Sequence, residues 1–330
     1  MVTNHHQSRL NAFIHDQKNH RIPISLWRHW PIADLHSELV AKELLHFQDT
    51  YNFDLIKFSP CSNMINAGFG LVRPWGGKDT GSYERTDGFM QSKTTRDLIS
   101  MPYNMALLNE SKFALQKIIQ HYKNKQIPII YTILSPLYHI YHLYGEKFSK
   151  QINEIEPVIK RISDILNAHI QEAVQLGVDG IYYSANYASH QYFTPVEYEY
   201  LWNKYEIPIL DTARNLEFNC IHYHCEQPIL EILPTVPDIK LVSFNSYSDI
   251  YETIALAEEY QKIFMGGVNN AIKISSSSNI AAEVSNLLDT LKNHQFILAS
   301  DCVIPIATPV ANINEFIQAV HRVGHSVRKS

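Results

Sequence analysis

Short apolar runs rich in β-branched and aromatic residues recur along the chain, each trailed by a longer stretch with helical spacing. The runs are Ile22 to Trp27, Phe53 to Phe58, Ile127 to Leu134, Gly180 to Ser184, Cys220 to His224, Lys240 to Phe244, Lys262 to Gly266 and Phe296 to Ser300. Between them the pattern predicts helices over Leu35 to Tyr51, Ser111 to Lys123, Gln151 to Leu176, Pro195 to Lys204, Ile209 to Glu217, Ser248 to Glu258, Ile280 to Asn293 and Ile313 to Val323. Ser248-Asp249-Ile250 and Thr194-Pro195 carry helix-start chemistry, the latter with proline at the first helical position. Strands alternating with helices predict a parallel sheet with crossover helices, and eight strands predict closure into a (β/α)8 TIM barrel.

The rhythm breaks from Ser59 to about Met101. Gly68, Gly70, Gly76, Gly77, Gly81 and Gly88 lie there among polar residues, over a span too long for an ordinary strand-to-helix connection. In a barrel this insertion follows the second strand at the catalytic face, as either a functional lid or a solvated hairpin. Ser275 to Ser278 form a polar connector too brief for a domain linker, and no internal repeat is visible. Residues 1–330 therefore read as one barrel.

Composition supports that reading. With 330 residues, 45% of them hydrophobic, the chain can bury a large core and lacks the signature of disorder. Lys plus Arg number 28 against 33 Asp plus Glu, a net charge of −5 without a basic cluster, so no nucleic-acid partner is expected. Met1 to Gln7 lack the basic start and apolar core of a signal peptide, and no apolar run approaches a membrane span. The cysteines, at 61, 220, 225 and 302, form no C-x-x-C pair, and a chain this large needs no disulfides. A cytoplasmic location is the expectation.

The candidate chemistry sits at strand ends. His222 and His224 are separated by one residue, so a period of two puts both imidazoles on one face of a strand. Cys302 follows the apolar run Gln295 to Ser300, where another strand opens into a loop. Two nitrogens and one sulfur suit Zn²⁺, and three protein ligands leave a fourth position for a reactant. An isolated H-x-H is more often a hydrogen-bonded core or rim pair; the cysteine shifts the balance toward a metal. Cys225 points to the opposite face, as a buried thiol, if the strand continues, whereas a turn there would bring it to the metal. Asp301 is either an outer carboxylate to an imidazole or a loop cap. His139, in Tyr138 to His142, either lines a pocket for a flat ligand or packs in the core, and Asn245 after the sixth strand is a candidate polar contact to substrate.

The segment Asp301-Cys302-Val303-Ile304-Pro305-Ile306-Ala307-Thr308-Pro309-Val310-Ala311-Asn312-Ile313 resembles the final motif of the uroporphyrinogen decarboxylase superfamily, G-[HC]-G-I-x-P-x-T-P-x-E-N-[IV]. Arg21-Ile22-Pro23-Ile24 resembles the opening R-x-P-[VI] strand, and Ser184 followed by Phe193-Thr194-Pro195 adds support. The resemblance runs from about residue 9 to 325, with the terminal motif its specific part. The decarboxylases carry His where this chain has Cys302. The zinc-dependent methylcobamide:coenzyme M methyltransferases carry Cys, and this chain sides with them.

That resemblance implies zinc on His222, His224 and Cys302, a small thiol substrate, and a methyl group carried by a corrinoid such as methylcobalamin, free or on a corrinoid protein. It makes Arg28 and Ser184 substrate-binding candidates and leaves the catalytic residues unassigned. The departures matter as well. The methyltransferases have H-x-C where this chain has His222 and His224, so the metal is a stronger Lewis acid but the bound sulfur a weaker nucleophile. Val303 replaces a glycine and Ala311 a glutamate. Of the decarboxylases' Arg-x-x-x-Arg pair only Arg28 remains, and Pro60 stands where their essential aspartate follows Phe-Ser. Decarboxylation of uroporphyrinogen is therefore not expected. Two alternatives stay open: zinc-assisted hydrolase or lyase chemistry, and a non-catalytic barrel binding tetrapyrrole or corrinoid.

Overall fold

In the computed structural model, which describes residues 10, 21–125, 127–235, 239–245, 250–268 and 279–327, eight parallel strands form a nearly closed barrel. They are β1 (Ile24–Ser25), β2 (Ile56–Phe58), β3 (Ile129–Leu134), β4 (Gly180–Asn186), β5 (Cys220–His224), β6 (Leu241–Phe244), β7 (Ile263–Val268) and β8 (Phe296–Ser300). Hydrogen-bonded order runs β1-β8-β7-β6-β5-β4-β3-β2. The seam between β1 and β2 is closed by other bonds: Ser25 Oγ donates to the Leu55 carbonyl at 2.8 Å, and the Asp54 N–H to the Ile24 carbonyl at 2.9 Å. The fold is a (β/α)8 TIM barrel, as the alternation of strands and helices predicts. Among the described residues no helix is long and apolar enough to cross a membrane.

Alternation along each strand builds two cores. Leu55, Ile130, Tyr182, Cys220, Leu241, Met265, Ile297 and Ala299 point inward and fill the lower barrel. Their neighbours Ile56, Tyr131, Tyr183, Ile221, Val242, Phe264 and Leu298 point outward into the larger core beneath the helices. At the C-terminal ends the inward positions become polar, with Ser184 registered against His222 and His222 against Ser243. At the opposite end polar side chains splice loops to strands, as where Asp179 Oδ2 accepts the Ile129 N–H at 2.8 Å and Asn219 Oδ1 the Ile181 N–H at 3.0 Å. Gly180 is required there, because a Cβ would lie 2.3 Å from the Phe218 carbonyl oxygen.

The helices mostly follow the periodicity. Ser37–Tyr51, Ala106–Tyr122, Ile152–Leu176, Pro195–Leu201, Ile250–Glu259, Ile280–Leu291 and Val310–Val327 cover the barrel. Thr194 forms a reciprocal capping box with Glu197 ahead of Pro195. The Ser248 start, the Ser275 to Ser278 connector and Met1 to Gln7 lie outside the described residues. Helices over Met64–Gly68, Thr95–Ser100 and Pro136–Tyr144 are additions to the predicted set.

Beyond Leu201 the helix widens into one π turn, Trp202–Glu206, before Ile207–Thr212. The extra residue carries Glu206 into the core at 1% exposure, where its carboxyl accepts from Tyr183 Oη at 2.6 Å and Tyr198 Oη at 3.2 Å. Burial pushes its pKa up to about 7 although both phenols pull it down. A folded-state pKa above the unfolded value, about 4.3, means the folded state holds the proton more tightly. That stability is present below the unfolded pKa and is lost as pH rises toward about 7. Going from pH 5 to 8 should therefore cost the native protein about 3 kcal/mol more than it costs Glu206→Gln. Urea unfolding at both pH values checks this, and parallel profiles would contradict it.

Candidate active site

The polar strand ends open into a cavity of about 550 Å³, within the range of small-molecule sites. β5 supplies His222 and His224, both facing it as the period of two predicts. Cys302, half-buried just beyond β8, faces the same space. Trp27 Nε1 donates to the Cys302 carbonyl and fixes that loop against β1. Ser184 and Asn245 also line the cavity.

His222 Nε2 and His224 Nδ1 approach to 3.1 Å. Two nitrogens about 2.05 Å from a tetrahedral zinc are about 3.3 Å apart, so the imidazoles already hold the separation of two ligands of one ion. The far nitrogen of His222, Nδ1, meets Ser243 Oγ at 3.1 Å, and Ser243 Oγ accepts from Tyr182 Oη at 3.2 Å. Donation from Nδ1 to Ser243 leaves the lone pair on Nε2, where it accepts the His224 Nδ1–H; once that proton moves to the other nitrogen of His224, both facing lone pairs are free for a metal. Burial holds both imidazoles neutral, with His222 well below the ordinary histidine range and His224 pushed down to about 4. Burial raises the Cys302 thiol while the nearby Lys57 charge opposes that shift.

Among the described residues no three His, Cys, Asp or Glu side chains lie together at coordination distance. The imidazole pair fits a zinc edge as it stands, and the Cys302 side chain would have to swing toward it. The donor chemistry fits zinc. Asp301 acts as a loop cap, its Oδ1 accepting the Gly267 N–H at 2.6 Å; Ser243 is the group that hydrogen-bonds His222. Cys225 is half-buried, with Sγ 3.4 Å from the Ala188 carbonyl, outside the cavity lining.

Two candidates are placed elsewhere. Arg28 is not in the lining; its charge interacts with Glu43, Tyr51 and Asp79, and the cavity meets its neighbour His29 instead. His139 is fully buried behind the wall, its Nδ1 2.7 Å from Asn66 Oδ1, while Tyr138 and His142 one helical turn apart face the cavity. Core packing is the reading the structure supports for His139. Pro60 is buried outside the lining, and the acidic side chain lining the cavity among the described residues is Asp34. Burial raises Asp34 to about 6, and it accepts from Tyr83 Oη.

The insertion borders the cavity on one side and meets solvent on the other. Ser62, Arg73, Thr80, Gly81, Ser82 and Tyr83 line its upper wall. Asp79 clasps the loop after β8 by accepting from the N–H groups of Ile306 at 2.7 Å and Ala307 at 2.9 Å. Tyr83 Oη bridges to the loop after β1, donating to Asp34 and accepting the Ile32 N–H at 3.2 Å. Ile32 sits at φ 72°, a costly conformation for a β-branched residue that this bond helps to hold.

Lys57 was not anticipated from the sequence. It points inward from β2, buried, with Nζ 2.8 Å from Ser59 Oγ and over the rings of Trp27 (4.8 Å) and Tyr182 (4.3 Å). Burial lowers its pKa to about 7, partly offset by Cys302 and Cys220. Tyr182 also stacks on His222 at 5.1 Å between centroids, linking the lysine to the imidazole pair. A lysine inside an apolar strand is the signal that could have found it.

The uroporphyrinogen decarboxylase family model matches residues 99–323. Among solved structures, a methyltransferase from Methanosarcina mazei is similar with TM-score 0.71 at 15% identity, covering 96% of this chain and 98% of that one. A B12-independent methionine synthase from a Shewanella species is similar with TM-score 0.52 at 13% identity, covering 94% of this chain and 98% of its own. At such identities the likeness is one of fold. No curated protein matches the chain.

Proposed function

The chain belongs to the uroporphyrinogen decarboxylase family, and from that premise we propose that it is a methyltransferase-type enzyme in which His222, His224 and Cys302 hold Zn²⁺ for a small thiol. The observation carrying this reading is the 3.1 Å approach of two neutral imidazole nitrogens inside a cavity shared with Cys302. Structural likeness to a methyltransferase and to a methionine synthase supports it. Bound zinc supplies the Lewis acidity that lowers the pKa of a thiol in its open position.

The protein's own groups do the rest. Ser243 orients His222, and Tyr182 holds Ser243 from the other side. The insertion walls one side of the cavity, which helps a bound thiol keep its position toward an incoming methyl group. A cavity of about 550 Å³ holds a small thiol but not a whole corrinoid, so a corrinoid or corrinoid protein delivers the methyl group at the mouth. Ser184 and Asn245 contact the substrate from the wall.

Methylcobalamin with a panel of small thiols should yield thioether, lose that activity on chelation and regain it with zinc. In the same preparation uroporphyrinogen should give no coproporphyrinogen, because Pro60 replaces the decarboxylases' aspartate and the Asp34 carboxyl is held by Tyr83. Coproporphyrinogen formation, or zinc binding without reaction of any thiol, would contradict the proposal. Exchange of water alone at the zinc would favour hydrolase or lyase chemistry, and a protein with no zinc would favour the non-catalytic barrel.

A further inference from the structure

Arg73 is 2% exposed yet lines the cavity. Every partner of its guanidinium is neutral: Nε donates to Asn63 Oδ1 at 2.7 Å, and Nη2 to Tyr138 Oη at 2.9 Å, Ser62 Oγ at 3.1 Å and the Ser62 carbonyl at 3.2 Å. Nη1 meets the His142 ring at 3.0 Å. Among the described residues Arg73 has no carboxylate partner, and neither has the cavity's other cation, Lys57. His142 registers that uncompensated charge: burial first and Arg73 next push it down to about 3.

Burying a guanidinium without an anion is costly, and hydrogen bonds to neutral oxygens recover only part of the lost hydration. Here the group is held rigidly by four side chains beside space that a small molecule can occupy. A structural arginine of this kind normally meets a carboxylate of its own chain. We propose that Arg73, with Ser62, Tyr138 and His142, is an oxyanion-binding site that takes the acidic end of the substrate. Arginine suits that task, since Nη1 keeps an N–H beyond its contact with His142 and can give an oxygen of carboxylate, sulfonate or phosphate a charge-assisted bond. The neighbouring hydroxyls of Ser62 and Tyr138 can donate to further oxygens of the anion.

The position is informative. Arg73 and Ser62 come from the insertion after β2, and Tyr138 and His142 from the helix after β3, whereas His222, His224 and Cys302 come from β5 and the loop after β8. Substrate held between the two groups would have its reacting end at the imidazole pair and its anion under the insertion. Calling that ligand the substrate rests on the proposed function; the anion site does not.

Propionate, ethanesulfonate and methyl phosphate, titrated into zinc-stripped protein by calorimetry, test the site without thiol or metal. At least one should bind, about tenfold or more weakly in Arg73→Gln and severalfold more weakly in Tyr138→Phe, with no change in His222→Ala. If Arg73→Gln does not fold, Tyr138→Phe and Ser62→Ala decide the matter. Failure of all three anions to bind, or equal affinity in the folded variants, would overturn the site while leaving the zinc reading untouched. In the reaction, mercaptopropionate should have a KM about tenfold below that of mercaptopropanol, and Arg73→Gln should abolish the difference. An equal KM for acid and alcohol in the native enzyme would overturn the assignment of this ligand as substrate.

Discussion

If the proposed site holds about one zinc per chain, replacing either His222 or Cys302 with alanine should strip it. A three-ligand site loses a third of its coordination with each substitution, and the ion then competes poorly against chelator and water. His222 also carries the outer bond to Ser243, so its loss removes a ligand and the group that aims it. Ser243→Ala should be milder, weakening zinc by about 10- to 100-fold as is usual for an outer hydrogen bond to a metal-binding histidine. Metal content after dialysis against a weak chelator checks the series. Full zinc retention in both His222→Ala and Cys302→Ala would remove the metal site from the account.

A second large effect is expected at Gly81, where the insertion meets the barrel mouth. Its φ is 75°, and a Cβ there would lie 2.6 Å from the Cβ of His29 and within 3.3 Å of Ile306 and Pro31. Valine would meet backbone strain of about 1–2 kcal/mol and overpacking of about 1–3 kcal/mol. That strain falls on His29, Pro31 and Ile306, none of which belongs to either core, so the insertion should lift while the barrel stays folded. Gly81→Val should then lower methyl transfer by about 100-fold, keep its zinc, and expose residues 59–101 to protease. Unchanged turnover in a variant whose insertion is cut rapidly would show that this segment has no part in the chemistry.

What was legible in the sequence follows from periodicity. β5 has the predicted bounds, and two-residue alternation sufficed to put His222 and His224 into one cavity. Ser184 and Asn245 were legible for the same reason, as strand-end positions with the right parity. Arg28 and His139 were not, because a one-residue offset decides which side chain reaches the cavity. His29 takes the place expected of Arg28, and on the helix Pro136–Tyr144 the pair Tyr138 and His142, four residues apart, turns His139 toward Asn66. The insertion has no regular period, so Arg73 carried no local signal; its importance arises from distant contacts with Tyr138 and His142. Lys57 was hidden differently. Reading Phe53 to Phe58 as an apolar run passed over a cation that its strand directs into the barrel.

On the proposed function, a small thiol should bind zinc held by two imidazoles and one thiolate. Zinc-edge X-ray absorption on the loaded protein, with and without thiol, tests it most directly. Two nitrogen and one sulfur scatterers are expected from the protein, with a second sulfur at about 2.3 Å replacing a lighter scatterer when the thiol is added. Proton release of about one per site should accompany that change. A zinc shell without protein sulfur, or one that no thiol enters, would contradict it.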